Sequence, residues 1–472
     1  MTTAVYRSGA TFGEARSVVS RSQAVVLLQL FALTVMLIPS DAVIKAIGAG
    51  GYAAALVGMF AFAAYLAAVM LGLHNLSEHR NPIRIVLCLL WLSVLASYVL
   101  MNRSILTVPE LASADRQLMQ LAVISGAALV AAEWLNSLSD IRRVLRALCW
   151  GGAFAGVVAT LQFWLNLDLA VYLRDLPGFS LNYDNAGILV RDGLNRVSGT
   201  AIYPIELGVV AGMLLPLAVY LAVYDVERSA RRRWATVGLI ALAIPTSVSR
   251  SAIISVGLAL AVLVVLMPVR QRLVALFTVP LGLVAVFMSA PGVIGTLTSF
   301  FTAGTSDPSV ATRVSDYPLV EAFVQKAPFF GRGGGTYIAD NAIDILDNQF
   351  LKTAIELGLV GVVALTIFFV VPVVVAFSAR RRSSDPELRL LCAALAGAAL
   401  AGTACSFTFD SLSFPMFANV EAIVVGLIGA AWRLAVTARS STTTPPDAGS
   451  ALAAPAAGTR ALLSTGGSSW IC

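Results

Sequence analysis

Apolar segments close to 20 residues long recur along this chain, and they constrain its fold more than any other feature. A helix needs about 20 apolar residues to cross a bilayer, and about twelve segments of the sequence approach that length. The chain is 58% hydrophobic and only 12% charged, and it contains no polar stretch long enough for a soluble domain. The sequence therefore predicts an all-α fold, that of a polytopic helical membrane protein.

The predicted membrane-spanning segments divide the chain into three parts. The segments are residues 23–40, 51–72, 83–101, 117–134, 147–165, 201–224, 234–247, 251–267, 273–289, 357–378, 388–406 and 417–437. Residues 1–22 are predicted to be a cytoplasmic segment, and residues 23–437 the transmembrane domain. Residues 438–472 are rich in Ala, Ser, Thr, Pro and Gly, which is typical of a disordered tail, here cytoplasmic.

Lysine and arginine residues predict the orientation, because basic loops stay in the cytoplasm. They are concentrated in alternate loops: Arg80 with Arg84, Arg142 with Arg143 and Arg146, Arg228 with Arg231 to Arg233, Arg270 with Arg272, and Arg380 to Arg382 with Arg389. The apolar run 234–267 must then turn back near Arg250, in "SVSR". The same alternation predicts that residues 166–200 and 290–356 lie outside the cytoplasm.

Arginines in these predicted outer parts run against the charge rule. They are Arg174, Arg191, Arg196, Arg250, Arg313 and Arg332. An arginine at a membrane boundary is costly unless it snorkels, pairs or faces a wet cavity. One interpretation is snorkelling to lipid headgroups. The other is a phosphate-bearing ligand, which a guanidinium binds through two parallel hydrogen bonds.

A glycine cluster, "FFGRGGGTY" (329–337), lies in the longer outer segment. It lacks the lysine and hydroxyl residue of a P-loop and does not follow a strand. Glycines such as Gly333 and Gly335 allow backbone N–H groups to approach an anion closely. The alternative interpretation is a flexible turn.

A polar cluster opens the next apolar segment, in "LDNQFLKTAIELGLVG" (346–361). Asn348, Lys352 and Glu356 recur every four residues and therefore share one helix face. Asp347 has two interpretations. It either caps the helix, or it is a general base that nearby arginines keep ionised and that accepts a proton from a hydroxyl nucleophile.

Other residue types exclude several classes of function. The only histidines, His74 and His79, fall in a predicted cytoplasmic loop, and no Asp-x-Asp pair or metal-ligand spacing occurs. The five cysteines contain no CxxC pair and are interpreted as small hydrophobic residues. The basic residues set orientation rather than bind nucleic acid. Chemistry on the outer face is therefore expected to use arginines and carboxylates, with no metal ion, ATP or other cofactor.

Three segments resemble one family, the O-antigen ligases and O-antigen polymerases of bacterial membranes. They are "NRVSGTAIYPIELG" (195–208), "PTSVSRSAIISV" (245–256), and "ATRVSDYPLVEAFVQKAPFFGRGGGTY" (311–337) followed by "DNQFLKTAIELGLVG" (347–361). The resemblance covers residues 195–378. It implies an architecture similar to the helical C-type glycosyltransferases, with a large extracytoplasmic loop.

The resemblance also implies an activity and its partners. Family members take a glycan from a polyprenyl (undecaprenyl) pyrophosphate carrier in the inner membrane and transfer it to a glycan or glycolipid acceptor. Membrane lipids and polysaccharide assembly machinery are further expected partners. Arg196, Arg250 and Arg313 match family arginines that would hold the donor pyrophosphate. Asp347 stands where ligases carry the histidine of His-Asn, which favours the polymerase.

The expected site thus has Asp347 and Arg313 as catalytic residues and a single displacement that inverts the anomeric centre. The expected substrate-binding residues are Arg196, Arg250, Arg332, Gly333, Gly335, Asn348 and Glu356. One alternative is a transporter, such as a flippase for lipid-linked glycans, which would need charges deep within many spans and broken helices near the midplane. A non-catalytic partner in envelope assembly is the third interpretation.

Overall fold

Helices dominate the fold. The computed structural model describes residues 12–76, 81–174, 177–181, 188–191, 194–288, 308–339, 341 and 345–443. The helices in these ranges are α1 (Phe12–Leu37), α2 (Ala53–Met70), α3 (Pro82–Leu100), α4 (Val108–Trp134), α5 (Leu138–Leu165), α6 (Leu169–Arg174), α7 (Pro204–Tyr224), α8 (Ala230–Thr246), α9 (Arg250–Leu266), α10 (Val269–Met288), α11 (Pro308–Lys326), α12 (Gln349–Arg382), α13 (Pro386–Cys405) and α14 (Pro415–Thr443). Short strands pair antiparallel, β1 (Ala42–Ile44) with β2 (Phe179–Leu181) and β3 (Leu189–Arg191) with β4 (Leu194–Arg196).

Eight helices in the described ranges are long and apolar enough to cross a membrane, namely α2, α3, α4, α5, α7, α12, α13 and α14. Two shorter apolar helical stretches are Ser22–Leu37 and Arg250–Leu266. The predicted polytopic helical membrane protein is therefore confirmed. Each predicted segment falls on a helix, but the count of twelve crossings stays a prediction. α14 extends to Thr443, beyond the predicted end at residue 437.

Helix ends that were predicted to lie on the outer side meet at one end of the bundle. The Ser40 N–H after α1 donates to the Thr200 carbonyl before α7 at 3.0 Å. The Gln349 N–H at the start of α12 donates to the Ser406 carbonyl after α13 at 2.9 Å. This end, where the strands also lie, is termed the loop end. Its contacts follow the alternation that the basic loops predict.

Basic loops share the opposite end, which is termed the arginine end. Arg142 of α5 lies 2.6 Å from the Glu387 carboxylate of α13, and Arg146 lies 2.6 Å from Asp225 after α7. His74 lies there too, 2.6 Å from Glu133 at the end of α4. His74 therefore follows α2 at the arginine end, away from the loop end. His79 lies outside the described residues.

Small residues allow the helices to pack closely, as is common between membrane helices. A Cβ atom on Gly126 of α4 would lie 2.3 Å from the Gly58 carbonyl oxygen of α2. A Cβ on Gly156 of α5 would lie 2.2 Å from the Leu239 carbonyl oxygen of α8. These contacts leave no room for a larger side chain, so the two helix pairs are fixed by backbone proximity.

Glu206 fastens α14 to α7. This fully buried carboxylate accepts hydrogen bonds from the N–H groups of Met416 at 2.7 Å and Phe417 at 3.1 Å, and from Ile202 at 2.9 Å. The first N–H groups of a helix have no partner within the helix, so Glu206 satisfies the start of α14 from a distant part of the chain. Its role here is structural.

Arg174 also has a structural role, as part of a buried ion-pair cluster. It is 4% exposed, and its guanidinium lies 2.9 Å from the Asp41 carboxylate and 3.0 Å from that of Asp168. A buried charge is retained when paired and hydrogen-bonded. This predicted outer arginine therefore neither snorkels nor faces a ligand, but joins α6 to the segment after α1.

Candidate functional site

The polar start of α12 is separated from its apolar remainder by a break at Gly358. This residue has φ 64° and ψ −162°, so the helical hydrogen bonding is interrupted there. The residues 328–337, termed the glycine segment, dock into the break. The Leu359 N–H donates to the Pro328 carbonyl at 2.9 Å, and the Val360 N–H donates to the Phe329 carbonyl at 3.2 Å.

The docked segment also satisfies the carbonyls that the break releases. Arg332 N–H donates to the Ile355 carbonyl and Gly333 N–H to the Glu356 carbonyl, both at 3.0 Å. A flexible turn is thus the wrong interpretation of this segment. These two N–H groups are already bonded to protein carbonyls, which corrects the expectation that they are available to a substrate anion.

Glycines are required where the segment meets its neighbours. Gly331 has φ 66°, and a Cβ on it would lie 2.3 Å from the Glu356 carbonyl carbon of α12. Gly335 has φ 74°, and its Cβ would lie 2.6 Å from the Ser113 carbonyl oxygen of α4. The cluster of glycines therefore lets one segment pass closely between α12 and α4.

Glu356 is the acidic residue that the glycine segment contacts. Its side chain is buried at 2% exposure, and its carboxylate accepts from the Tyr337 N–H at 3.4 Å and from Gln117 Nε2 of α4 at 3.4 Å. One helical turn earlier, Lys352 Nζ donates to Asp410 Oδ2 at 3.2 Å and to Ser413 Oγ at 2.7 Å. The predicted shared face is thus present and is held by three other parts of the chain.

Asn348 is the N-cap of α12. Its Oδ1 accepts from the N–H groups of Phe350 at 2.9 Å and Leu351 at 3.3 Å. The structure therefore gives this side chain a capping role, although it was predicted to bind substrate. Asp347 precedes it and is exposed at the loop end.

Two of the predicted pyrophosphate arginines lie at the same turn. The Arg196 Nε at the end of β4 donates to the Ser247 carbonyl at 3.3 Å, and the Val197 N–H donates to Thr246 at 3.3 Å. Arg250 is the first residue of α9, three residues after Ser247. The chain reverses between α8 and α9 where the sequence predicted, with Val248 at φ 43°. The segment 246–250 is termed the arginine turn.

Two further arginines of the expected site, Arg332 and Arg313, differ from this pair. Arg332 lies 2.5 Å from the Glu110 carboxylate of α4, and its guanidinium stands over the Phe323 ring at 5.5 Å. This ion pair joins the glycine segment to α4. Arg313 is in α11, but its side chain lies outside the described residues.

A cavity of about 430 Å³ lies beside the polar start of α12. It is bounded by α2, α3, α4, α12, the glycine segment and residues 412–415, and is termed the α4–α12 cavity. Of the predicted site residues, Gly335 and Glu356 line it; Asp347, Asn348, Arg196, Arg250, Arg332 and Gly333 do not. Arg116, Gln117 and Gln120 of α4 also line it, although the sequence did not single them out.

Tyr52, just before α2, also lines the cavity. Its hydroxyl donates a hydrogen bond to Gln120 Oε1. Burial raises the pKa of this hydroxyl above its ordinary value, so it remains protonated and a donor.

One segment connects the cavity with the arginine turn. The Leu412 N–H donates to Gln349 Oε1 at 2.8 Å, and both residues line the cavity. Earlier in the same segment, Thr408 Oγ1 accepts from Ser251 Oγ at 2.8 Å, next to Arg250. Residues 406–415 therefore contact both the lining of the cavity and the residue that follows the arginine turn, so the candidate site at the loop end has two neighbouring parts.

Within the part of the chain that the structure describes, no group of three or more His, Cys, Asp or Glu residues could hold a metal ion.

Comparison with known proteins gives one family. Residues 235–366 match the model of the O-antigen ligase family, whereas no curated protein matches the chain. The matched residues include the arginine turn, the glycine segment and the polar start of α12. Arg196 and α4 precede the matched residues. The resemblance seen in the sequence is thus confirmed for residues 235–366, which match a domain of the O-antigen ligase family.

Proposed function

We propose that the protein transfers a glycan from a polyprenyl pyrophosphate donor, such as an undecaprenyl one, to a glycan or glycolipid acceptor. The reaction would build or attach polysaccharide repeat units in capsule, exopolysaccharide or O-antigen synthesis. The observation that carries the proposal is the position of Arg196 and Arg250 at one turn, within and beside the matched domain. Paired guanidinium groups suit a pyrophosphate because each binds two oxygens.

The proposed chemistry is a single displacement. The acceptor hydroxyl attacks the anomeric carbon, the bond from that carbon to the pyrophosphate oxygen breaks, and the pyrophosphate leaves on its lipid carrier. Arg196, Arg250 and Arg313 stabilise the negative charge that grows on the leaving group. Asp347 accepts the proton of the hydroxyl. Attack opposite the leaving group inverts the anomeric centre, and the activated donor makes ATP and a metal ion unnecessary.

The proposed location is the bacterial cytoplasmic membrane, with the loop end facing the periplasm or exterior. The arginine end carries Arg142 and Arg146 in the first turns of α5, and basic residues at the ends of membrane helices favour the cytoplasmic side. Asp347 followed by Asn348 favours a polymerase over a ligase. Membrane lipids and polysaccharide assembly machinery are the further proposed partners.

A transporter for lipid-linked glycans is the second candidate, favoured by one observation. α12 is broken at Gly358, and broken helices are typical of transporter binding sites. However, the carbonyls of Ile355 and Glu356 at this break are bonded by the glycine segment. In a transporter, such freed carbonyls would instead contact the cargo or a coupling ion.

Donor consumption distinguishes these candidates. The full-length protein in detergent would receive a polyprenyl-pyrophosphate repeat unit prepared from the host strain, and products would be followed by mass. A ladder of lengthened carrier-linked glycans identifies a polymerase, and one-step transfer to a different added acceptor identifies a ligase. An intact donor after incubation contradicts the proposed transferase and favours the transporter.

Asp347→Asn tests the proposed base. The amide keeps the shape of the side chain but does not accept the proton, so we expect turnover to fall about 100-fold. The measurement is the initial rate of donor consumption at saturating substrate. Glu321→Asn in exposed α11 is the control, expected to keep the parent rate. Equal rates for Asp347→Asn and the parent protein would remove Asp347 from the mechanism.

A further inference from the structure

We infer that the α4–α12 cavity is the subsite for the terminal sugar of the acceptor glycan, with Arg116 and Gln120 of α4 as hydrogen-bond donors to it. This inference rests on the proposed glycosyltransferase function. It assigns a binding role to a helix that precedes the matched domain of residues 235–366.

The size and walls of the cavity suit a sugar. Its volume of about 430 Å³ lies in the lower part of the range for small-molecule pockets, roughly 300–1,000 Å³, which fits one or two sugar rings. Amide, hydroxyl and charged groups line one part, whereas Leu90, Val94 and Ile124 line another. Sugars have hydroxyl edges and apolar C–H faces, so both kinds of wall find a partner.

Two donors on α4 have hydrogen-bonding capacity to spare. Arg116 lines the cavity, and among the described residues no hydrogen bond or ion pair of its guanidinium is found. Gln120 uses its Oε1 for Tyr52, while its buried Nε2 has no hydrogen-bond partner in the described part of the chain. A buried donor without a partner costs about 1–3 kcal/mol. A ligand oxygen at this place would remove that cost.

The two donors also point to one ligand. Arg116 and Gln120 are four residues apart in α4 and therefore share a helix face. Glu356 of α12 also lines the cavity, and its side-chain oxygens are acceptors that suit a sugar hydroxyl. A ring in the cavity would thus meet donors from α4 and an acceptor from α12.

Charge argues against pyrophosphate as the occupant. Glu356 places a buried carboxylate in the wall, and Lys352 is already paired with Asp410. Arg116 is therefore the one cation of the lining without an ion pair among the described residues, which is too little positive charge for a pyrophosphate. By contrast, Arg250 of the arginine turn and Arg196, which is hydrogen-bonded to that turn, lie outside this cavity.

The two parts of the loop end are arranged for two substrates. Residues 406–415 contact Gln349 of the cavity and, through Thr408, the residue that follows Arg250. An acceptor in the cavity would therefore lie beside a donor held at the arginine turn. A transferase needs this proximity because both reactants must be held together in a reactive orientation.

Arg116→Gln tests the subsite in the full-length protein. The donor would carry a methyl ether on its own acceptor hydroxyl, so that it cannot accept, and the acceptor would be a lipid-free repeat unit released from the host polysaccharide. Loss of a charged donor should raise the KM for this acceptor about 10-fold and leave the donor KM and kcat within about twofold. Arg116→Lys keeps a charge and should raise the acceptor KM less.

Arg103→Gln is the matched control. Arg103 is an exposed arginine near the same end of the bundle and does not line the cavity. The KM of the Arg103→Gln variant for the acceptor should match that of the parent protein. The subsite is wrong if Arg116→Gln and Arg103→Gln give the same acceptor KM, or if Arg116→Gln raises the donor KM instead.

A binding measurement separates the subsite from the proposed function. The lipid-free repeat unit would be titrated into the parent protein and both Arg116 variants without donor, with an apparent melting temperature recorded to verify folding. Binding that weakens in Arg116→Gln supports the subsite even if no transfer occurs, in which case the proposed function fails alone. Transfer with unaltered saccharide binding in folded Arg116→Gln overturns the subsite and leaves the transferase standing.

Discussion

Arg250→Ala is expected to lower the rate of glycan transfer by about 1000-fold while the protein stays folded, because in the proposed reaction the variant loses a fixed positive charge beside the leaving pyrophosphate. Arg250 opens α9 at the arginine turn, where Arg196 is held to the Ser247 carbonyl. Its charge matters most in the transition state, when the negative charge on the leaving oxygen grows. The effect should therefore fall mainly on kcat, measured by donor consumption at saturating acceptor.

Arg250→Lys and Arg228→Ala complete this test. A lysine keeps the charge but lacks the paired N–H groups that bind two phosphate oxygens, so an intermediate loss is expected. Arg228 is exposed in the basic loop between α7 and α8, and its replacement should leave the rate unchanged. A folded Arg250→Ala protein with the parent kcat would show that Arg250 does not act on the leaving group.

The helical layout could be predicted because it depends on local properties of the sequence. Apolar length predicts helices, and the alternation of basic loops predicts which of their ends meet. The reversal between α8 and α9 is the sharpest case. It was inferred from the need for an even number of crossings, and the helices indeed end at Thr246 and resume at Arg250.

Contacts between distant parts of the chain could not be predicted. Glu206 is separated by 210 residues from Met416, whose N–H it accepts, and in the sequence it is simply an acidic residue early in a helix. The same holds for the glycine segment. Its composition indicates unusual backbone geometry, but the partner of that geometry, the break at Gly358, is visible only in the fold.

The missed lining of the cavity had a weak signal in the sequence. Arg116, Gln117 and Gln120 place polar groups at the start of an otherwise apolar helix, much as Lys352 and Glu356 do in α12. Such residues at a helix end are also what the membrane boundary favours. The contact between Gln117 and Glu356, which are 239 residues apart, shows that these polar groups line a cavity and do not merely mark the membrane boundary.

Gly331→Ala is expected to undock the glycine segment and reduce transfer below detection. Gly331 has φ 66°, and its new Cβ would stand 2.3 Å from the backbone of Glu356, which a flexible side chain cannot relieve. The left-handed backbone conformation of the alanine and this steric overlap should together destabilise the docked segment by at least about 3 kcal/mol. The bonds from the Arg332 and Gly333 N–H groups to α12 would then be lost, and with them the support of Glu356.

Gly257→Ala is the matched control for that variant. Gly257 lies in α9 with no atom within 4 Å of an added Cβ, so alanine should raise helix stability slightly, by about 0.5–1 kcal/mol. Transfer rate and apparent melting temperature would be measured for both variants in the same detergent. Proteolysis should cut the glycine segment faster only in Gly331→Ala. If that variant keeps the parent melting temperature, protease pattern and rate, the docked segment does not support the site, and the other walls of the cavity are sufficient to shape it.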